Sequence, residues 1–181
     1  FMLLFGVNFN LYYLILIKRA REAFKSEELR WYGIIVAFST ITIAINVFSV
    51  YGNIADSLRN AFFQVSSIMT TTGYATADFA NSWPPYSHHL LVLLMTVGAC
   101  AGSTGGGLKV SRVILLMKTV YQKIRQLIHP RAVTVVRLDG KLIDDETLHN
   151  VSVYFMMYII IIFFSTFLLS LNEYDFTTNL S

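Results

Sequence analysis

The chain of 181 residues is 55% hydrophobic and 14% charged, and its mean hydropathy is +0.56. Soluble domains carry about 25% charged residues, so this composition excludes an ordinary soluble domain and favours a membrane protein. The net charge of +3 does not indicate nucleic-acid binding, because the basic residues are segregated along the chain. Cys100 is the only cysteine, so the sequence predicts neither a disulfide nor a cysteine-based metal site within the chain.

Apolar segments of the length that crosses a bilayer recur along the sequence, and they predict an all-α integral membrane protein. One apolar segment is too short to cross, which predicts a re-entrant half-helix between two spans. Because the sequence opens and closes without finishing an element, we interpret it as an internal piece of a longer polytopic protein. The predicted order is a transmembrane helix (1–17), a cytoplasmic loop (18–30), a helix (31–51), a half-helix (57–69), a turn (70–76), a broken helix (89–126), a cytoplasmic connector (127–150), and a further helix with the start of its outer loop (151–181).

The basic residues predict the orientation of these elements. Every Lys and Arg except Arg59 lies in one of two stretches, residues 18–30 and 109–141. Short loops rich in Lys and Arg face the cytoplasm. If each of the three complete spans crosses once, both stretches fall on that side, and residues 52–87 lie outside.

The turn after the half-helix reads TTTGYAT. Potassium-channel filters read TVGYG, and their backbone carbonyls replace the hydration shell of the ion. Thr71, Gly73 and Tyr74 match that pattern in register, whereas Thr72 replaces the Val and Ala75 replaces the last Gly. Because the turn has no carboxylate, the pattern predicts a monovalent cation bound by backbone dipoles, to which Thr71 can add a hydroxyl oxygen. An ordinary polar turn is the alternative, in which Tyr74 is an interfacial aromatic.

The long span is interrupted near mid-membrane by the run GACAGSTGGG. Each of three consecutive glycines costs about 1 kcal/mol relative to Ala in a helix, and unwound backbone at this depth has to line a cavity. We therefore expect a gate beneath the filter, with close helix packing through Gly98 and Gly102 as the alternative. Lys109 and Arg112 follow, either as snorkelling anchors or as control charges in the permeation path. The predicted gating residues are Gly98, Gly102, Ser103, Thr104, Gly105, Gly106 and Gly107.

Three segments resemble the Trk/Ktr/HKT superfamily of potassium transporters, most closely its bacterial TrkH branch. They are SSIMTTTGYAT (66–76), GACAGSTGGGLKVSRV (98–113), and HPRAV with VRLDGK (129–141). The resemblance implies four membrane-pore-membrane repeats around one pore, of which this chain supplies the end of the second, the whole third and the start of the fourth. It implies that Thr71, Thr72 and Gly73 form one quarter of the potassium site, and that residues 98–107 form the gating loop.

The same resemblance implies potassium uptake by a multi-pass protein of the bacterial inner membrane, in contact with lipid. It also implies a homodimer and a TrkA-like cytosolic nucleotide-binding regulatory subunit that touches residues 118–141. No cofactor is expected besides K⁺ as the transported ion, and the sequence shows no catalytic constellation of an enzyme. The alternatives are a subunit of a two-span tetrameric potassium channel, a sodium-permeable member of the superfamily, and a membrane scaffold. Channel-like flux and ion-coupled symport both stay open.

Overall fold

The computed structural model describes residues 1–76, 79–129 and 135–172, and the chain divides into two compact units, Phe1–Ser111 and Arg112–Ser181. The remainder of the HPRAV segment after His129 and the outer loop after residue 172 lie outside the described residues. Most of the described chain is helical. The helices are α1 (Met2–Phe5), α2 (Phe9–Leu16), α3 (Ala20–Ala23), α4 (Glu27–Tyr51), α5 (Ile54–Met69), α6 (Phe79–Ser82), α7 (Pro85–Val97), α8 (Val110–Ile128) and α9 (Asp145–Leu169), with a 3₁₀ turn at Ser170–Asn172.

The long helix α4 organises the first unit. Glu27 and Glu28 lie in its first turn, where negative charge stabilises the helix start. Gly52 ends it in the left-handed conformation with φ +63°, and the Gly52 N–H donates to the Phe48 carbonyl. One face of α4 is exposed and apolar, as Ile45 illustrates with 72% of its surface accessible. The other face packs against α5 and α7 and contains the buried residues Tyr32, Val36, Ser39, Thr40, Ile43 and Val47.

The shorter helices α5 and α7 complete the core of this unit. Asn53 caps α5 by accepting a hydrogen bond from the Ala55 N–H at 3.1 Å. At 16 residues, α5 is about 24 Å long, which is too short to cross a bilayer core of about 30 Å. Pro85 begins α7, where its missing N–H costs nothing. Trp83, just before α7, is buried and donates through Nε1 to the Tyr51 hydroxyl at 3.4 Å.

Several element bounds differ from the sequence-based ones. Residues 1–17 are not a single helix, because the chain leaves the helical path after Phe5 and α2 starts at Phe9. The helix predicted for 31–51 starts at Glu27, within the predicted cytoplasmic loop. Its first turn is charged and not apolar, and acidic residues there are stabilised by the helix dipole. The half-helix predicted for 57–69 starts at Ile54, since its cap is Asn53.

Two helices of the described residues are long and apolar enough to span a membrane, α4 and α9. The span predicted for 89–126 is instead divided into α7, a loop at residues 98–109, and α8. Because α7 has 13 residues and α8 carries several charges, neither helix alone has the length and composition of a span.

The second unit holds most of α8, a small β-hairpin and α9. The strands β1 (Arg137–Leu138) and β2 (Lys141–Leu142) pair antiparallel, with Arg137 opposite Leu142. Asp139 and Gly140 join them with positive φ angles, as a two-residue hairpin turn requires. This short hairpin is an addition to the predicted helices, and the described chain stays mostly helical. Buried side chains from α8, the hairpin region and α9 form the core, namely Leu115, Val136 and Leu148.

Asp144 begins α9 as its cap. Its carboxylate accepts hydrogen bonds from the Thr147 N–H at 3.3 Å and from the Thr147 hydroxyl at 2.7 Å. The hydroxyl bond is the main cause that lowers the pKa of Asp144, which keeps this exposed carboxylate charged at the helix start. In the same unit, the Arg112 guanidinium lies 4.2 Å from the centroid of the Tyr154 ring.

Candidate functional site

The turn after α5 starts with a left-handed residue. Thr71 has φ +54°, which is uncommon for a β-branched residue, and Gly73 has φ +80°. The Ser67 carbonyl accepts hydrogen bonds from the Thr72 N–H at 2.9 Å and from the Gly73 N–H at 3.4 Å. The Ser67 carbonyl, in the last turn of α5, is thereby satisfied by the backbone of the turn that follows.

The predicted ion-binding residues lie on the surface of this chain. All of Thr71, Thr72, Gly73, Tyr74 and Ala75 are exposed. A Cβ atom added to Gly73 would meet nothing within 4 Å, so its glycine is needed for the positive φ angle and not for space. The turn thus combines open surroundings with a backbone conformation that side chains rarely adopt.

The loop between α7 and α8 is closed at its base by backbone hydrogen bonds. The Leu108 N–H donates to the Thr96 carbonyl at 3.1 Å, and the Lys109 N–H donates to the Val97 carbonyl at 3.0 Å. Gly98 has φ +71° and ψ −159°, a region open only to glycine. A Cβ atom at Gly98 would collide with the Gly106 carbonyl oxygen. The loop therefore needs glycine both for backbone angles and for space.

The turn and the loop meet. The Gly106 N–H donates to the Thr71 hydroxyl oxygen at 2.9 Å. A Cβ atom added to Gly105 would lie 3.5 Å from the Thr70 carbonyl oxygen, so the loop backbone passes close to the end of α5. The two motifs found in the sequence, 35 residues apart, form a single site in the first unit.

The other predicted gating residues surround this contact. Ser103 donates through its hydroxyl to the Cys100 carbonyl at 2.6 Å, inside the loop. Thr104 donates from both its N–H and its hydroxyl to the Phe5 carbonyl, at 3.4 Å and 3.3 Å. The Gly102 carbonyl accepts from the Phe9 N–H at 3.1 Å. Gly102 and Gly107 both have positive φ angles, of 67° and 82°.

The interruption between α1 and α2 forms a third part of the site, which the sequence analysis missed. The Gly6 carbonyl accepts a hydrogen bond from the Cys100 N–H at 3.0 Å. A Cβ atom at Gly6 would lie 2.9 Å from Thr70 Cγ2 and would collide with the Tyr32 hydroxyl. The sequence signal for this break was a glycine and two asparagines, Asn8 and Asn10, within an apolar segment.

Two charged side chains also contact the loop. The Glu28 carboxylate on α4 is buried and accepts hydrogen bonds from the Ala101 N–H at 2.6 Å and from the Ser111 N–H at 3.2 Å. The Lys109 ammonium donates to the Gly105 carbonyl. The sequence predicted that Glu28 lies in the charged loop at residues 18–30, and its place in the first turn of α4 corrects this.

These features together define a mostly helical membrane protein with a glycine-rich interruption packed beside a threonine-glycine turn. A family model described as "TrkH: Cation transport protein" matches residues 1–181. The chain therefore belongs to the TrkH family of cation transport proteins.

Named relatives and one solved structure agree with this assignment. The chain is 34% identical to the Trk system potassium uptake protein TrkG of Escherichia coli K12, over 99% of the chain and 37% of that protein. It is also 34% identical to the TrkH protein of Salmonella typhimurium, over 89% of the chain and 34% of that protein. The crystal structure of the potassium transporter TrkH from Vibrio parahaemolyticus matches with a TM-score of 0.90 and 28% identity, over 99% of this chain and 39% of that one.

The chain thus spans little more than a third of the length of the curated relatives it matches. All of these relatives are named as transport proteins and none as an enzyme, which agrees with the lack of a catalytic constellation in the sequence.

Proposed function

We propose that the complete protein containing this chain takes up potassium across the bacterial inner membrane. In this proposal, residues 71–75 supply one of four similar parts of a selectivity filter, and residues 98–107 form a gate beside it. The observation that carries the proposal is the hydrogen bond from the Gly106 N–H to the Thr71 hydroxyl, because it joins the two motifs directly.

The filter assignment is supported by the chemistry of the turn. Residues 71–75 offer backbone carbonyls and threonine hydroxyls but no carboxylate, the donor set that suits a monovalent cation. The turn follows the C-terminal end of α5, where the helix dipole places partial negative charge. Its exposure in this chain agrees with a surface that faces an axis shared with other repeats. The relatives carry the name of potassium uptake proteins.

The gate assignment is supported by the position and the closure of the loop. The loop approaches the end of α5 closely, because a Cβ atom at Gly105 would lie 3.5 Å from the Thr70 carbonyl oxygen and one at Gly106 would lie 3.4 Å from Thr71 Cγ2. A displacement of the loop would break the bond to Thr71 and change the space beside the turn. In the alternative, the loop is a packing element only, and its displacement has no bearing on flux.

The proposal includes a multi-pass topology with residues 18–30 and 109–141 in the cytoplasm, a homodimer, and a nucleotide-binding regulatory subunit that touches residues 118–141. In the second unit, an open cavity of about 850 Å³ is lined by side chains of both charges, among them Lys123, Asp144 and Asp145. A partner with mixed charge on its own surface would fit such a cavity. Co-purification of the regulatory subunit with the complete protein, and its loss when these charges are removed, tests this part.

Potassium uptake in bacteria that lack their own uptake systems tests the main proposal. The complete protein should restore growth at low potassium, and Gly73→Ser should reduce the preference for potassium over sodium. The added side chain has to adopt φ +80°, which costs about 1–2 kcal/mol and displaces the filter backbone. Gly33→Ser is the matched control, because a Cβ atom at Gly33 meets nothing within 4 Å and its φ angle is ordinary.

Three outcomes separate the alternatives. If the parent and Gly73→Ser transport potassium with the same selectivity, residues 71–75 do not set selectivity and the filter assignment is wrong. If the parent carries sodium as well as potassium, it is a sodium-permeable member of the family. If it restores no growth and carries neither ion, the scaffold alternative replaces the proposal. Flux measured with and without a proton gradient at fixed potential separates symport from channel-like flow.

A further inference from the structure

Glu28 connects α4 to both ends of the glycine-rich loop. Its Oε1 atom accepts one hydrogen bond from the Ala101 N–H at 2.6 Å, near the start of the loop. The same atom accepts a second from the Ser111 N–H at 3.2 Å, in the first turn of α8. These two partners lie 73 and 83 residues beyond Glu28 in the sequence, so the carboxylate joins parts of the chain that no local element links.

The surroundings of Glu28 make these bonds strong. The residue is 6% exposed, so water competes little for its carboxylate. Hydrogen bonds to an ionised acceptor are about twice as strong as neutral ones. The second bond also places negative charge at the start of α8, where the helix dipole favours it. No other acidic side chain is buried among the described residues.

We propose that Glu28 is a positioning residue that holds the loop in the place where Gly106 meets Thr71. This inference rests on the proposed gate. The middle of the loop contacts the turn through the hydrogen bond from the Gly106 N–H to the Thr71 hydroxyl, and the positions of the two ends of the loop determine that contact. When Glu28 releases Ala101 and Ser111, the loop is free to move away from Thr71.

The buried Cys100 provides a direct report of this movement. Cys100 has 0% exposure and precedes Ala101, whose N–H is bound by Glu28. In the complete protein, a small methanethiosulfonate reagent should modify Cys100 slowly. In Glu28→Ala, the rate of modification should rise about tenfold or more, as expected for the loss of a charge-assisted hydrogen bond. Glu28→Gln, which keeps a carbonyl acceptor without the charge, should give an intermediate rate.

Matched variants isolate the effect. Cys100→Ala gives the background from any other cysteine of the complete protein. Glu22→Ala removes an exposed carboxylate that pairs with Arg19 at 2.6 Å, and it should leave Cys100 protected. Potassium flux per molecule should change in Glu28→Ala while the preference for potassium over sodium stays the same, because the filter turn itself is unaltered.

The combination of Cys100 labelling and potassium flux decides whether Glu28 positions the loop. Unchanged Cys100 protection in both Glu28→Ala and Glu28→Gln overturns the proposal, whatever the transport data show. A lowered melting temperature with protected Cys100 and unchanged flux per molecule assigns Glu28 a structural role only, which also overturns it. Faster modification of Cys100 with altered flux and constant selectivity supports it. Because the labelling does not depend on transport, a complete protein that carries no potassium would refute the proposed function separately.

Discussion

The turn at residues 71–75 and the loop at residues 98–109 are both non-helical, both contain glycine, and touch each other, yet they are built differently. The turn is exposed, and a Cβ atom at Gly73 would meet nothing within 4 Å. The loop is crowded, and a Cβ atom at Gly107 would lie 2.9 Å from the Gly98 Cα atom. Glycine in the turn provides a backbone angle, whereas glycine in the loop provides both an angle and space.

The two segments also differ in how they are held. The turn is fixed by the end of its own helix through the Ser67 carbonyl and by the one bond to Gly106. The loop is held by three separate parts of the chain: its own base, the break at Gly6, and Glu28 on α4. A segment that has to stay in one position until it is released benefits from many anchors, and a segment that contacts a passing ion benefits from open surroundings. The comparison therefore agrees with the roles proposed for the two segments.

The largest effect is expected for Gly98→Ala. The substitution places a side chain at φ +71° and ψ −159° and drives it into the Gly106 carbonyl, which belongs to backbone and has little freedom to shift. Strain and overpacking together should cost about 3 kcal/mol or more of stability. The melting temperature of the purified complete protein in detergent measures this cost.

Gly33→Ala is the control for Gly98→Ala. Gly33 is exposed within α4, and a Cβ atom there meets nothing within 4 Å, so the variant should be neutral or more stable by up to about 1 kcal/mol. Equal melting temperatures for Gly98→Ala and the parent would show that the Gly106 carbonyl does not crowd Gly98. The loop would then need glycine no more for space than the turn does.

A smaller effect on stability is expected for Gly6→Ala, which tests the contact between the loop and the break between α1 and α2. The new Cβ atom would collide with the hydroxyl of the buried Tyr32 and approach Thr70 Cγ2, at an expected cost of about 1–3 kcal/mol. Tyr32→Phe removes the colliding oxygen, but also its bond to the Leu3 carbonyl, which should cost about 1 kcal/mol alone.

The double variant separates a steric clash with the Tyr32 hydroxyl from other causes of lost stability. If Gly6→Ala acts through Tyr32, then Gly6→Ala with Tyr32→Phe should cost less than the two single changes added together, by about 1 kcal/mol. If the stability costs of the two changes add strictly, the cost of Gly6→Ala does not come from contact with Tyr32. The packing of Gly6 against α4 would then not explain how the break between α1 and α2 holds the loop.

The sequence located both segments of the site, because each contains a local pattern of small and hydroxyl residues that interrupts an apolar stretch. It did not reveal that Gly106 binds Thr71, since pairing between distant segments leaves no local periodicity. It also placed Glu28 in the charged loop at residues 18–30: the stretch KSEELR is highly charged, and burial of one carboxylate depends on partners more than 70 residues away. The break at Gly6 was missed because residues 1–17 are mostly apolar, and this composition was interpreted as an uninterrupted helix in spite of Gly6, Asn8 and Asn10.

The smallest effect is expected for Gly106→Ala, at the point where turn and loop meet. Gly106 has no positive φ angle, its Cβ atom would lie 3.4 Å from Thr71 Cγ2, and its N–H would still reach the Thr71 hydroxyl. Stability should therefore change by less than about 0.5 kcal/mol, and potassium uptake should match the parent. A large loss of stability would contradict the contact geometry between turn and loop. An unchanged melting temperature with reduced flux would instead show that Gly106 adopts a second backbone conformation during transport. The loop would then need its glycine for movement as well as for space, unlike the turn.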